Sequence, residues 1–321
     1  GRGAVAPVGG GVGLGVADMG APGRAAAGRL GSVGDDWASR FEWMSEDIPD
    51  GGFRVLWLGD PTILPGDPHV VGGTGYLVTR DGPGDVRDGW APPRTKAERE
   101  LARAIEMVRA GRTVRFGHLL APAGVRYVAV VERAAPESGR KAAIDPRLEA
   151  ELGAQVDLTV SRVESSAVIY ENESWIARRA VAPPDVEVPI DVDDPLEAAT
   201  RDVPPTEAVL GPQSESEPAG PGTLLWSEAA DSGWQATVDG ATATRGDAFG
   251  WTNAFAVEER GSVDLTFDEG LRRVIAYLEM VAWFVVAALW WRSRSREQDV
   301  DLDPDESSEA ETYEPPVEVA S

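Results

Sequence analysis

Eighteen residues from Val274 to Trp291, VIAYLEMVAWFVVAALWW, carry a single charge, Glu279, and arginines stand on both sides of them (Arg272, Arg273, then Arg292, Arg294 and Arg296). A helix of that length rises roughly 27 Å, against a hydrocarbon core of about 30 Å. The uninterrupted part, from Met280, is short enough to be a buried core helix, which is the competing reading. Three features favour a membrane span. Apolar residues occupy every helical face instead of one stripe, Trp290 and Trp291 sit together where an aromatic belt belongs, and the arginines bracket the run. More arginines follow than precede it, which places the C-terminus in the cytoplasm by the positive-inside rule and the bulk of the chain outside the cell. The expected segment is a single transmembrane helix over 271–292, followed by a disordered acidic cytoplasmic tail over 293–321.

Charge supports this division. Of a net −24, residues 297–321 carry −10 and residues 183–221 carry −9. A nucleic-acid partner is excluded, because phosphate binding needs a basic face. The absence of cysteine removes disulfides, thiolate metal sites and cysteine nucleophiles. The chain starts at Gly1, which suggests a fragment or a processed product with an export signal upstream.

Residues 1–34 contain twelve glycines and read as a flexible Gly/Ala-rich lead-in. The stretch GGGVGLGVADMG lacks the G-x-G-x-x-G spacing and a preceding strand, so no nucleotide site is assigned there. Residues 35–182 form a mixed α/β extracytoplasmic domain. Its strands are FRVLWL (53–58), GYLVTR (75–80), RYVAVVE (127 onward, after Arg126), VDLTVSRV (156–163) and AVIYE (167–171). Its best helix is TKAERELARAIEMVRAG: Thr95 and Glu98 make a capping box, Leu101, Ile105 and Val108 share one face, and Gly111 stops it. Residues 183–221 are too rich in proline and acid to build a core and read as an extended linker. A small β-sheet module, partly sandwich-like, follows over 222–270 from LLW (224–226), WQATVDG (234–240), DAFGWTNAFAVE (247–258) and SVDLTF (262–267). Strands from before the linker have room to complete it, and Asp239-Gly240 is its strongest hairpin signal. The fold class is therefore α+β.

No catalytic, cofactor-binding or metal-binding residue is assigned. His69 and His118 are the only histidines and neither has a spaced histidine or cysteine partner. No G-x-S-x-G elbow is present. Ser165-Ser166 and Asn172-Glu173-Ser174 read as turns, the latter also matching a glycosylation sequon. Asp60 follows the first strand, where α/β folds carry functional loops, but reads first as a turn cap. Trp175, Trp234 and Trp251 could stack on sugar rings, although tryptophan more often packs in a core.

FRVLWLGDPTILPG (53–66), the following GYLVTRDG, GHLLAPAGVRYVAVVE (117–132), VIYENESWIARRA (168–180) and GWQATVDG (233–240), in that spacing before the last span, resemble the C-terminal extracytoplasmic region of actinobacterial membrane family 2 glycosyltransferases, a region related to YfhO-like membrane proteins. The resemblance covers roughly residues 35–292. It implies a location in the cell membrane and a part in handling cell-wall or lipid-linked glycan, with a nucleotide-sugar transferase domain elsewhere. That domain's acidic metal motif has no counterpart here, so no catalytic residue carries over. The expected role is the noncatalytic exported portion of such an enzyme, with the bilayer, glycan and other envelope proteins as partners. The competing readings are a stand-alone single-span envelope protein, structural or receptor-like, and a soluble α/β enzyme.

Overall fold

The structure is a computed structural model that describes residues 40–46, 48–64, 67–83, 95–133, 141–190, 192–200, 203–209, 216–268 and 270–298. The expectations for residues 1–34 and for the acidic tail beyond 298 lie outside these. The described chain is α+β, with three sheets and strands in the majority.

The first sheet has the order β2-β3-β1-β4-β6-β5, from His69–Val71, Thr74–Arg80, Arg54–Gly59, Val125–Val131, Ala167–Asn172 and Leu158–Val163. Only β1 and β4 are parallel; the other pairs are antiparallel. Residues alternate across β1 and β4, and both faces are covered, which is why these strands read as continuous apolar runs. Leu56, Leu58, Val128 and Val130 face a core completed by the helices α1 (Lys96–Arg109), α2 (Phe116–Leu120), α3 (Pro146–Gly153) and α4 (Pro195–Thr200). Val55, Trp57, Tyr127, Ala129 and Val131 face a second core with Phe41, Met44, Ile63 and Leu64. In that second core the Trp57 Nε1–H donates to Thr79 Oγ1 at 2.8 Å, so the large indole is buried without an orphaned donor.

The capping box of α1 forms as the sequence predicts. Thr95 Oγ1 accepts the Glu98 N–H (3.2 Å) and Glu98 Oε2 accepts the Thr95 N–H (3.0 Å). Gly111 ends the helix in a left-handed conformation (φ 65°), and Ile105 and Val108 are fully buried.

The second sheet runs β13-β14-β10-β7-β8, from Arg245–Ala248, Thr252–Val257, Gly222–Ala229, Arg179–Ala182 and Glu207–Ala208, all antiparallel. The third has the order β12-β11-β15-β9, from Ala241–Thr242, Trp234–Val238, Gly261–Phe267 and Ser216–Ala219. β7, from before the proline-rich stretch, pairs with β10. Asp239 (φ 49°) and Gly240 (φ 84°) close a two-residue hairpin between β11 and β12. The run expected as one strand over 247–258 breaks into β13 and β14, because Phe249 (φ 49°) and Gly250 (φ 70°) turn the chain between them.

The segment 183–221 is more structured than its composition suggests. It supplies α4, β8 and β9, and it buries Val188, Leu196, Ala199 and Val209. Pro195 opens α4, and the Asp194 carboxylate accepts the Leu196 N–H at 3.1 Å, so proline and acid serve as a helix start.

The described residues up to Asp231 together with Ala236–Leu265 form one compact unit, and Ser232–Gln235 with Thr266 onward form another. In the second unit the Trp234 and Phe267 rings meet edge to face at 5.0 Å, and the Asp268 N–H donates to the Gly233 carbonyl at 2.8 Å. The same unit contains α5 (Gly270–Gln298). Its side chains are described from Tyr277 to Arg292, and those from Tyr277 to Trp291 are exposed on every face. Among the described residues no helix is long and apolar enough to cross a membrane.

Within the first unit a charge cluster ties the first sheet to the second. Glu228 on β10 accepts from Arg54 of β1 (2.9 Å), Arg80 of β3 (3.3 Å) and Arg178 beside β7 (3.4 Å), and Arg178 also reaches Asp81 at 3.2 Å. Burial pushes the Arg54 guanidinium down to about 10, against the pull of Glu228, with Arg178 and Arg80 adding to the depression. Burial alone would raise Glu228, but the guanidiniums of Arg54, Arg80 and Arg178 outweigh it and hold its carboxyl below the ordinary value. A depressed carboxylate stabilises the fold fully above its unfolded value, and the contribution is lost as the pH falls through the folded one. Glu228→Gln should therefore cost about 3–5 kcal/mol at pH 7, since it strands buried guanidiniums. Urea denaturation followed by tryptophan fluorescence should show the wild-type and variant midpoints converging as the pH drops below about 4.

Candidate functional site

The short helix α2 carries His118, and side chains distant in sequence fix it. At its N-terminus Gln155 Oε1 accepts the Phe116 N–H (2.8 Å), and Asp157 Oδ2 accepts the His118 N–H (2.8 Å). These two acceptors satisfy donors that a five-residue helix leaves open. On the other side Asn172, at the end of β6, donates through Nδ2 to the carbonyls of Gly117 (3.0 Å) and Val125 (2.9 Å).

The same Asp157 oxygen also meets His118 Nδ1 at 2.8 Å. A carboxylate only accepts, so Nδ1 carries the hydrogen. Among the described residues Nε2 has no protein partner, and the buried Asp157 Oδ1 has none either. The result is an oriented imidazole whose polar capacity is only partly used by the protein.

His118 lines an open cleft of about 340 Å³ with Glu173, Ser174, Trp175 and Ile176 on one side and Val203, Pro204, Pro205 and Thr206 on the other. That volume lies at the lower end of the range of small-molecule sites, about 300–1,000 Å³. The second wall comes from the proline-rich segment. Arg126, on β4, stacks over the Trp175 ring, 5.3 Å from its centroid, and reaches Glu171 at 3.0 Å, so one face of the indole is covered by the guanidinium. Glu173 is exposed at the rim.

The other residues singled out from the sequence have structural roles. His69 Nε2 lies 3.2 Å from Glu98 Oε1, and its ring lies 5.2 Å from that of Tyr76. Asp60 caps the turn after β1, accepting the Thr62 N–H at 2.7 Å, and borders a smaller hollow of about 200 Å³ with Asp145. Ser165 and Ser166 form the β5–β6 turn and accept from Arg40 at 2.6 and 3.1 Å. Trp251 is 6% exposed and packs in the core of the second sheet. Asn172 is fully buried with its amide hydrogens engaged, so in the folded chain the sequon is not available for glycosylation, and Ser174 closes an Asx turn onto Asn172 Oδ1 (2.9 Å). Among the described residues no group of three or more His, Asp or Glu side chains could hold a metal ion.

Sequence reasoning missed the His118–Asp157 pair because its members are 39 residues apart and meet only through the sheet. A Cβ at Gly117 would strike the Asn172 side chain and the Asp157 carboxyl. Gly117→Ala should therefore lower the urea midpoint and shift the His118 imidazole resonances in proton–nitrogen spectra, whereas Gly153→Ala, with open space around it, should leave both unchanged.

No protein-family model matches the chain, and neither a curated protein nor a solved structure matches it significantly.

Proposed function

We propose that the chain is the noncatalytic exported portion of a membrane-bound glycosyltransferase of the cell envelope, anchored by α5, with its C-terminus in the cytoplasm and its cleft holding or positioning glycan. The observation that supports the anchor is the exposure of eleven large apolar side chains in α5 between Tyr277 and Trp291, at 47–74% each. The run Val274–Trp291 is helical throughout, and arginines flank it in sequence. A core helix would bury such residues, and a surface helix would not present them on all sides. The family resemblance supplies the link to glycan, and the aromatic and polar lining of the cleft is compatible with it.

The full chain should stay with the membrane fraction after alkaline carbonate extraction. The double variant Val281→Asp/Val285→Asp places two charges near the helix centre, at about 2.5–3.5 kcal/mol each, and should appear in the supernatant. The chain has no cysteine, so single introduced ones report topology. Val160→Cys, at an exposed position, should react with an impermeant maleimide on intact cells, and Ser308→Cys should react only after lysis. Wild-type release by carbonate, or the reverse labelling pattern, would refute the anchor or its orientation.

A further inference from the structure

The hollow beside Asp60 sits where the topology of the first sheet opens a crevice. β1 and β4 are its parallel pair, and their carboxyl ends are level, with Gly59 opposite Val131. The chain leaves these two ends in opposite directions. From β1 it turns to β2 and β3 on one side, and from β4 it runs through α3 to β5 and β6 on the other. In sheets with parallel neighbours, the gap between two such departing connections is where ligands bind. Asp60 is the first residue after β1, and Asp145 caps α3 at the end of the connection from β4. Both line one hollow of about 200 Å³, together with Ile144, Thr74 and the Gly72–Gly73 turn. We infer that this hollow binds a hydrated divalent cation of the magnesium class, held by the Asp60 and Asp145 carboxylates with the Thr74 hydroxyl as a further oxygen.

Thr74 supplies an observation that the carboxylates alone do not. The residue is only 3% exposed, yet among the described residues its hydroxyl has no hydrogen-bond partner, although buried hydroxyls are ordinarily paired. That oxygen is not sealed in the core; it opens on the hollow that Thr74 lines. The carboxylates are oriented by the turns they cap. Asp60 Oδ1 accepts the Thr62 N–H (2.7 Å) and hydroxyl (2.5 Å), and Asp145 Oδ1 accepts the Arg147 N–H (3.0 Å). A carboxylate has acceptor capacity beyond one or two such bonds. Arg109 packs its guanidinium against Gly72 without itself lining the hollow.

The donor set selects the ion. Two carboxylates facing one small space repel each other, and a divalent cation between them offsets that repulsion. Carboxylate and hydroxyl oxygens are hard donors, which suit magnesium, calcium and manganese. Two carboxylates fall short of a closed protein cage, in keeping with the lack of any larger acidic or histidine group among the described residues. Mg²⁺ is the ion that keeps several waters and binds through one or two carboxylates. A water takes about 30 Å³, so the hollow has room for the ion with part of its shell. Bound there, it joins the loop after β1 to the start of α3. The inference is independent of the membrane anchor and of the cleft beside His118.

The test uses the full chain in phosphatidylcholine nanodiscs, with labelled isoleucine methyls read by NMR and Mn²⁺ as the paramagnetic stand-in for Mg²⁺. Ile144 lines the hollow, and Ile176 borders the cleft beside His118. The Ile144 methyl should broaden at lower Mn²⁺ than the Ile176 methyl, and excess Mg²⁺ should restore it. The Mn²⁺ concentration for half-broadening of Ile144 should rise about tenfold or more in Asp60→Asn and in Asp145→Asn, and about fivefold in Thr74→Val. Asparagine keeps the capping role of either aspartate, so both variants fold, and unshifted methyls elsewhere confirm it. The acidic residues beyond 298 also attract Mn²⁺, and all three variants leave them intact. Equal broadening of Ile144 in wild type and any of the three variants, which means adventitious binding only, overturns the inference. So does broadening of Ile144 and Ile176 in parallel, or failure of Mg²⁺ to restore Ile144.

Discussion

The arrangement of the first compact unit depends on one carboxylate shared by three guanidiniums. Glu228 belongs to the second sheet, Arg54 and Arg80 to the first, and Arg178 to the connection that enters β7. Placing four charges in a partly buried site is costly, and in general apolar replacements can equal or exceed such clusters in stability. What the cluster supplies is position. Arg54 also donates through Nη1 to the Ala123 carbonyl at 2.6 Å, and Ala121–Ala123 is the turn that follows α2 directly. Ala121 is itself part of the core beneath the second sheet. The charges that register β1 against β10 therefore also seat the turn that follows α2.

The elements legible in the sequence were those whose stabilising partners are local or whose burial is symmetrical. β1, β3, β4 and β6 were visible because both faces or an alternating face demand apolar residues, and α1 because Thr95, Glu98 and Gly111 state its ends within one stretch. Asp239-Gly240 specified its hairpin by the same local logic. The proline and acid of 183–221 were read by composition as an unstructured connection. Composition misjudges such a segment when its scattered apolar residues meet a surface built by other elements. Leu196 and Ala199 bury against the core under α1 and α2, and two short strands borrow their hydrogen bonds from β7 and β15. Neither is self-sufficient, so neither leaves a periodic signal.

The candidate site was less legible for a related reason. Histidine and aspartate at a separation of 39 residues have no recognisable spacing, and the contact exists because the turn after α3 lays Gln155–Asp157 against the start of α2, where the Val156 N–H donates to the Val114 carbonyl at 2.9 Å. Trp175 was flagged as an aromatic that could meet a sugar, and it does line the cleft, while Trp251 went to the core as tryptophans usually do. The sequon at Asn172 shows the opposite error that motif reading invites. Its amide nitrogen already donates to two carbonyls that β4 and α2 would otherwise leave open, so the pattern marks a structural residue.

The exposure in α5 raises the question of what medium could cover it. Eleven large apolar side chains held at 47–74% exposure form a surface that water opposes at about 25 cal/mol per Å², and soluble monomers rarely keep apolar patches of more than a few hundred Å². Pairing with a second helix covers one stripe, because a two-stranded contact uses two positions in seven and leaves the opposite face wet. Trp283, Phe284, Val285 and Val286 are consecutive and so point to all sides of the helix, and every one of them is exposed. Whatever covers these side chains must therefore contact more than one face of α5, which a single helix packed alongside it does not do.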